Sequence, residues 1–459
     1  MRARERAIPR RNVSLSDYRQ QEAQTAQPDL ASKPEASTPG RRAWVALGML
    51  WFVYVLNFLS RQLPAILAKP IQDSLHVSDG KLGLVSGLYF ALFYCFISIP
   101  VGWMADKTDR SKVLAAACAI WSAATMCCGL AATYPQLVVA YMTVGFGEAG
   151  GVPPSYSIIS DYFPRGRRGT PLGLYNLGPA FGATLGIAFG ASIAAAFSWR
   201  YAFLFLGSIG LFAAIAVLLF VREPRRGGLD RISDQVTPSK TSFWQTLAMF
   251  FSRPSLRLAA FASGANQFIT YGLLNFVVLF LMREKGMVLN QIAVYYSLVV
   301  LVGVGGAMFV SGRLIDRFAR NSKQAYALVP AISLGLAVPF FLAFVWAPSW
   351  HLALFLLVGT MFLNYFYLSS MVTLVQEEVR PDQRVMSGAL LLLVMNFIGL
   401  GLGPTYVGAA SDFFHAAHPH NSLQIALYTL APFYAVAILL FLRLARVLSR
   451  EHNSLGATV

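Results

Sequence analysis

Glu148 sits midway between Pro135 and Asp161 in a long apolar run, about 20 Å from either end at ~1.5 Å per helical residue. A charge that deep in hydrocarbon is costly, so it marks function by default. The other carboxylates fall in tails, loops or helix ends, and His76, His351, His415, His418, His420 and His452 lie in loops, at span ends or in the tail. Glu148 is therefore the expected proton carrier. Arg61, in the outer half of the first apolar run, is its natural partner. A buried glutamate beside an arginine stays ionised, and one left among apolar groups takes up a proton. Gly145, Gly147, Gly150 and Gly151 are expected to let the first and fourth runs pack closely. No nucleophile–base pair or metal cluster accompanies Glu148, so neither an enzyme nor a metal site is expected. Cys95, Cys118, Cys127 and Cys128 lie inside apolar runs with no metal or disulfide spacing.

A second constellation occurs twice. GWMADKTDRSK places Gly102, Asp106 and Arg110 at the spacing that GRLIDRFARNSK gives to Gly312, Asp316 and Arg320, and all three recur at one common offset. Two equivalent halves follow, related as parallel repeats. Glycine admits a neighbouring helix, and an Asp at a membrane boundary accepts bonds from a helix N-terminus or pairs with an arginine. With Asp161 and Arg168 at the end of the fourth run, these residues make a candidate cytoplasmic gate, bonded when that side is shut and released when it opens.

The elements that position these residues are apolar runs of about twenty residues, each long enough to cross a bilayer. They fall at roughly 43–64, 81–105, 113–133, 136–160, 171–195 and 199–221, then 258–282, 291–312, 324–346, 351–375, 385–411 and 423–443. The fold expected is an all-α membrane protein of about twelve spans in two six-helix halves. The corresponding divisions are a basic tail 1–41, a first bundle 42–221, a linker 222–257, a second bundle 258–446 and a tail 447–459. Hydrophobic residues make up 56% of the chain and charged ones 13%, half the share usual in a soluble domain. The net charge of +16 gathers in short clusters between apolar runs, which argues against a nucleic-acid surface. Arg165, Arg167, Arg222, Arg225, Arg226, Arg313, Arg317, Arg380 and Arg384 all lie on one set of alternating connections. The positive-inside rule then puts both termini in the cytoplasm.

The Gly102–Lys112 segment resembles the signature of the major facilitator superfamily, and the resemblance covers the chain from Arg42 onward. NFLSRQLPAILAKPI and VGFGEAGGVPPSYSIISDYFPRGRRG are similar to bacterial members of its Spinster branch. The resemblance implies a proton-linked exporter of the bacterial inner membrane, and animal relatives handle sphingolipids and lysolipids. That branch usually has an acid where this chain has Ser60 and an arginine where it has Tyr141, seven residues before Glu148 on the same helical face. One charge of each sign is absent together. The substrate cavity is expected from Tyr54, Asn57, Asn176, Asn266, Gln267, Tyr271, Asn275, Asn364, Tyr365, Tyr367 and Asn396. A mostly aromatic, weakly charged cavity suits an amphipathic organic molecule or lipid. The function expected is proton-coupled export by alternating access, with a multidrug–proton antiporter and a non-transporting lipid sensor as alternatives. Protons, the bilayer and the substrate are the expected partners, no cofactor beyond the proton gradient is needed, and the chain is expected to be a monomer.

Overall fold

The computed structural model describes residues 40–163, 169–224, 243–319, 322–380 and 383–456. Among them every regular element is helical, and eleven helices are long and apolar enough to cross a membrane. They begin with Arg41–Ile66, Asp79–Ser98 and Arg110–Leu130, and after a broken fourth span continue with Thr170–Ala196 and Trp199–Phe220. The second half adds Pro254–Arg283, Leu289–Ala319, Ala325–Trp346, Trp350–Glu378, Met386–His415 and Ser422–Arg450. The twelfth span is the fourth in chain order, in two pieces, Tyr134–Glu148 and Val152–Tyr162. Pro153 and Pro154 explain the break. Neither has the N–H that would bond the carbonyls of Ala149 and Gly150, and each ring crowds the carbonyl four residues back.

Side chains at the starts of the spans satisfy the N–H groups left over by the first turn. Ser78, Asp109 and Ser349 accept from the N–H groups of Lys81, Lys112 and Leu352 respectively. Between expected linker positions 222 and 257 the chain forms a helix, Phe243–Ser252, and Pro254 then starts the seventh span. Trp121, Phe203, Phe280 and Phe341 are among the bulkiest fully buried side chains of the core.

The halves join unevenly. Asp79–Leu84 packs on Gly403–His415, and Gly178–Ala196 packs along the start of the eighth span. Between described residues, each hydrogen bond or ion pair that links the halves uses the end of the molecule where Asp79 and Arg283 meet. A wide π-helical turn at Val85–Tyr89 faces another at Phe397–Leu402 in this junction. At the opposite, arginine-rich end, Gly48, Gly173 and Gly312 have no neighbour among the described residues within 4 Å of where a Cβ would stand.

Candidate functional site

Ser60 and Arg61, on the first span, meet Glu148 where the fourth span breaks. Arg61 Nε donates to Glu148 Oε2 at 2.5 Å and Ser60 Oγ lies 2.7 Å from Glu148 Oε1. Glu148 is 1% exposed, so the ion pair is buried. Breaking such a pair from one side leaves an unpaired charge, at a cost of about 3–5 kcal/mol. The Ser60 hydroxyl also lies 2.7 Å from the Asn57 carbonyl. It has one hydrogen and therefore serves one acceptor at a time. An ionised Glu148 receives that hydrogen. A protonated Glu148 can donate to Ser60 instead, while the Ser60 hydrogen turns to Asn57. The carboxyl thus keeps a hydrogen bond to Ser60 in both protonation states.

The Arg61 guanidinium lies 4.4 Å from the ring of Tyr94, 5.0 Å from Phe58 and 5.4 Å from Phe90. Aromatic faces attract a cation at these distances, so Arg61 keeps favourable neighbours when its carboxylate is neutralised. Its Nη2 is buried with no hydrogen-bond partner among the described residues. Beside it a cavity of about 30 Å³ is lined from both halves by Arg61, Gln62, Ser86, Tyr141, Tyr271 and Asn275. That volume holds two or three waters at ~10–15 Å³ each. Tyr141 is 3% exposed, with its ring 5.2 Å from that of Phe90.

The glycines around Glu148 face other helices than expected. A Cβ on Gly145 would fall 2.9 Å from the Phe90 carbonyl, and one on Gly147 would fall 2.6 Å from Trp121 N. Gly150 abuts Ala117. These positions bring the fourth span close to the second and third spans, not to the first. The spacing showed that small residues were needed but not which way they turn.

Of the expected cavity residues, Tyr54 stacks on Tyr175 at 4.5 Å, and Tyr156 OH donates to Asn176 Oδ1 at 2.5 Å. Tyr94, Tyr156 and Tyr175 belong to this aromatic group and escaped the sequence reading. Tyr94 lies on the same apolar run as Phe90, but an apolar run does not declare its inner face. In the second half Asn266 Nδ2 donates to the Asn364 carbonyl at 2.9 Å, where the tenth span breaks at Tyr365. Asn364 Nδ2 donates to Tyr434 OH at 3.0 Å, and Gln267 Nε2 to Asn396 Oδ1 at 3.3 Å. Asn266 and Tyr367, at 0% and 3% exposed, are packed within this half, whereas Tyr271 and Asn275 reach the cavity beside Arg61.

At the arginine-rich end Arg110 is 3% exposed. It donates to Asp161 Oδ2, Ser157 Oγ and Glu223 Oε1, each at 2.6 Å. Third, fourth and sixth spans are thereby tied within one half. Glu223, just past the sixth span, was not singled out in the sequence, although its place between Arg222 and Pro224 is a helix-end signal. Among the described residues Gly312 has no neighbour within 4 Å of where a Cβ would stand. The side chains of Asp106 and Asp316, the packing around Gly102, and the whole of Arg168 and Arg320 lie outside the described residues.

Residues 50–404 match the family model described as Major Facilitator Superfamily. An MFS-type efflux pump of Mycolicibacterium smegmatis is 31% identical over 374 residues, covering 81% of this chain and 85% of the relative. Protein spinster homolog 1 of Homo sapiens is 24% identical, covering 84% and 76% respectively. A crystal structure of a bacterial homologue of the human lysosomal transporter Spinster, inward-facing and unoccupied, superposes with a TM-score of 0.84 at 26% identity. It covers 90% of this chain and 99% of that one.

Proposed function

The chain belongs to the major facilitator superfamily, as a Spinster-type member, and from that premise we propose that it exports an amphipathic organic molecule by proton-coupled alternating access. The buried Arg61–Glu148 pair, set at a helix break beside a cavity shared by both halves, carries this reading. A proton arriving on Glu148 cancels its attraction for Arg61, and the aromatic rings hold the freed cation. The two protonation states therefore differ in what joins the first span to the fourth. A group can bias a conformational equilibrium only through such a difference.

The arginine clusters support cytoplasmic termini in the inner membrane of a bacterium. With that orientation, the junction at Asp79 and Arg283 is periplasmic and the conformation is open to the cytoplasm. The aromatic side chains Tyr54, Phe58, Tyr94, Tyr156 and Tyr175 suit an acyl chain or other lipophilic body, and the polar groups near Arg61 suit a small head group. The substrate class proposed is a lysolipid or sphingolipid-like amphiphile. The efflux-pump relative favours a second reading, a multidrug–proton antiporter. A panel of lysolipids and cationic dyes in proteoliposomes separates the two.

The test is proton-driven movement in those proteoliposomes under an imposed pH gradient. Glu148→Gln should be less stable but still fold, because an amide resembles the protonated acid and three rings hold the unpaired Arg61 cation, and should abolish gradient-driven transport while leaving exchange without a gradient. Unaltered pH dependence in this variant would place the proton carrier elsewhere.

A further inference from the structure

The Arg61 guanidinium is satisfied in charge but not in hydrogen bonds. Its Nε edge meets Glu148, and the rings of Phe58, Phe90 and Tyr94 stand 5.0, 5.4 and 4.4 Å from its central carbon. Ring faces attract the cation, yet they offer no acceptor in the guanidinium plane, where its N–H groups point. Nη2 accordingly has no hydrogen-bond partner among the described residues, in a side chain only 10% exposed. A buried donor left in that state is costly.

Arg61 lines the cavity of about 30 Å³, and among the described residues no carboxylate lines it. The polar side chains around it are neutral and can donate hydrogen bonds. Gln62 and Tyr141 come from the first half, Tyr271 and Asn275 from the second. Asn275 Nδ2 gives one hydrogen to the Tyr271 carbonyl at 3.0 Å and has a second to give. A buried cation among neutral donors is a setting for an anion.

Glu148 decides whether one enters. The ionised carboxylate already balances Arg61 and repels a second anion. Once it is protonated, one positive charge stands uncompensated at membrane depth. The other titratable groups facing the pair are Tyr54, Tyr94, Cys95, Tyr141 and Tyr271. Phenols and thiols are neutral in acid, so none of them supplies the missing counter-charge there.

We propose that the cavity beside Arg61 is a proton-gated site for a small inorganic anion of halide size, filled when Glu148 is protonated. Space for two or three waters admits a halide and excludes a phosphate ester. The proposal rests on reading Glu148 as the group that titrates. Its linkage is reciprocal: the anion raises the proton affinity of Glu148 by the factor by which the proton raises that of the anion. A bound anion also joins Arg61 of one half to Asn275 of the other, so occupancy favours the arrangement of halves that forms the cavity.

Chloride binding to the purified full-length chain reads the site without transport. The thermal-unfolding midpoint is followed as chloride replaces gluconate at constant ionic strength, since a ligand of the folded chain raises it. At about pH 5 the midpoint should rise and saturate, and at about pH 8 half-saturation should need about tenfold more chloride. Glu148→Gln, neutral at every pH, should bind chloride equally at both. Asn275→Leu leaves the ion pair in place and should weaken binding in acid several-fold. A response that never saturates, or that Asn275→Leu leaves unchanged, is a general salt effect and overturns the site. So does a Glu148→Gln chain with no chloride response. A Glu148→Gln chain that responds, beside an unaltered chain whose response is the same at both pH values, overturns the gating and the carrier role of Glu148 instead.

Discussion

Ser60 illustrates how much one hydroxyl decides. It stands where the resembled branch usually has an acid, yet its oxygen lies within hydrogen-bonding distance of both Glu148 and the Asn57 carbonyl. A hydrogen bond to a charged group contributes about 1.5–3 kcal/mol. Ser60→Ala should therefore lower the thermal-unfolding midpoint and weaken proton-driven transport, while Ser60→Thr, which keeps the hydroxyl, should retain both. Equal behaviour of the alanine and threonine variants would show that the hydroxyl is idle. Arg61 is held more redundantly, by one carboxylate and three rings, and its position is correspondingly less sensitive to any single neighbour.

The broken fourth span puts two functions on one element. Glu148 ends the first piece, and Asp161 lies near the end of the second, where Arg110 ties it to Glu223. A movement at the Ala149–Gly151 break thus reaches the arginine-rich end through a single helical segment. Arg110→Ala would leave Asp161 and Glu223 facing each other without this cation, and is expected to cost about 3–5 kcal/mol. Glu223→Gln keeps the Asp161 bond and exposes no new charge, so about 1 kcal/mol is expected for the loss of a partly exposed pair. Thermal unfolding of the two purified variants checks the order. Glu223→Gln as damaging as Arg110→Ala would mean that the sixth-span contact dominates the cluster.

For the whole molecule, the absent pair of charges at Ser60 and Tyr141 bears on the balance between facing states. Tyr141 is buried against Phe90, beside the same cavity as Arg61. Ser60→Asp alone would set a second carboxylate against Glu148, and Tyr141→Arg alone would add an unpaired cation. Either is expected to cost about 3–5 kcal/mol, whereas the double variant keeps the network neutral. We expect the present chain to be well folded, biased toward one facing state and weakly coupled, because a change of 1.4 kcal/mol alters a two-state ratio about tenfold. The double variant should raise coupled transport, and each single variant should fall below it. Equal transport by all four chains would dissolve the network.

Hydropathy summed over about twenty residues is a local, additive quantity, which is why the spans could be placed from composition alone, with ends as much as seven residues off, as at 312 against Ala319. The fourth span was legible as a span, but its break at Pro153 and Pro154 was not expected from the sequence. Arg61 and Glu148 were legible as partners because hydrocarbon leaves a buried charge few alternatives. Direction is what a linear chain does not carry. The glycines near Glu148 turn to the second and third spans, and Glu223 joins Arg110 from the end of the sixth, because helix rotation and tilt are set by packing against neighbours. Asp79 looked like an ordinary acid at a helix start. Its burial comes from Arg283 and Ser411, in the other half of the chain, and from the conformation that brings the halves together at that end. Tertiary structure alone decides such a contact, since its partners lie 204 and 332 residues away along the chain.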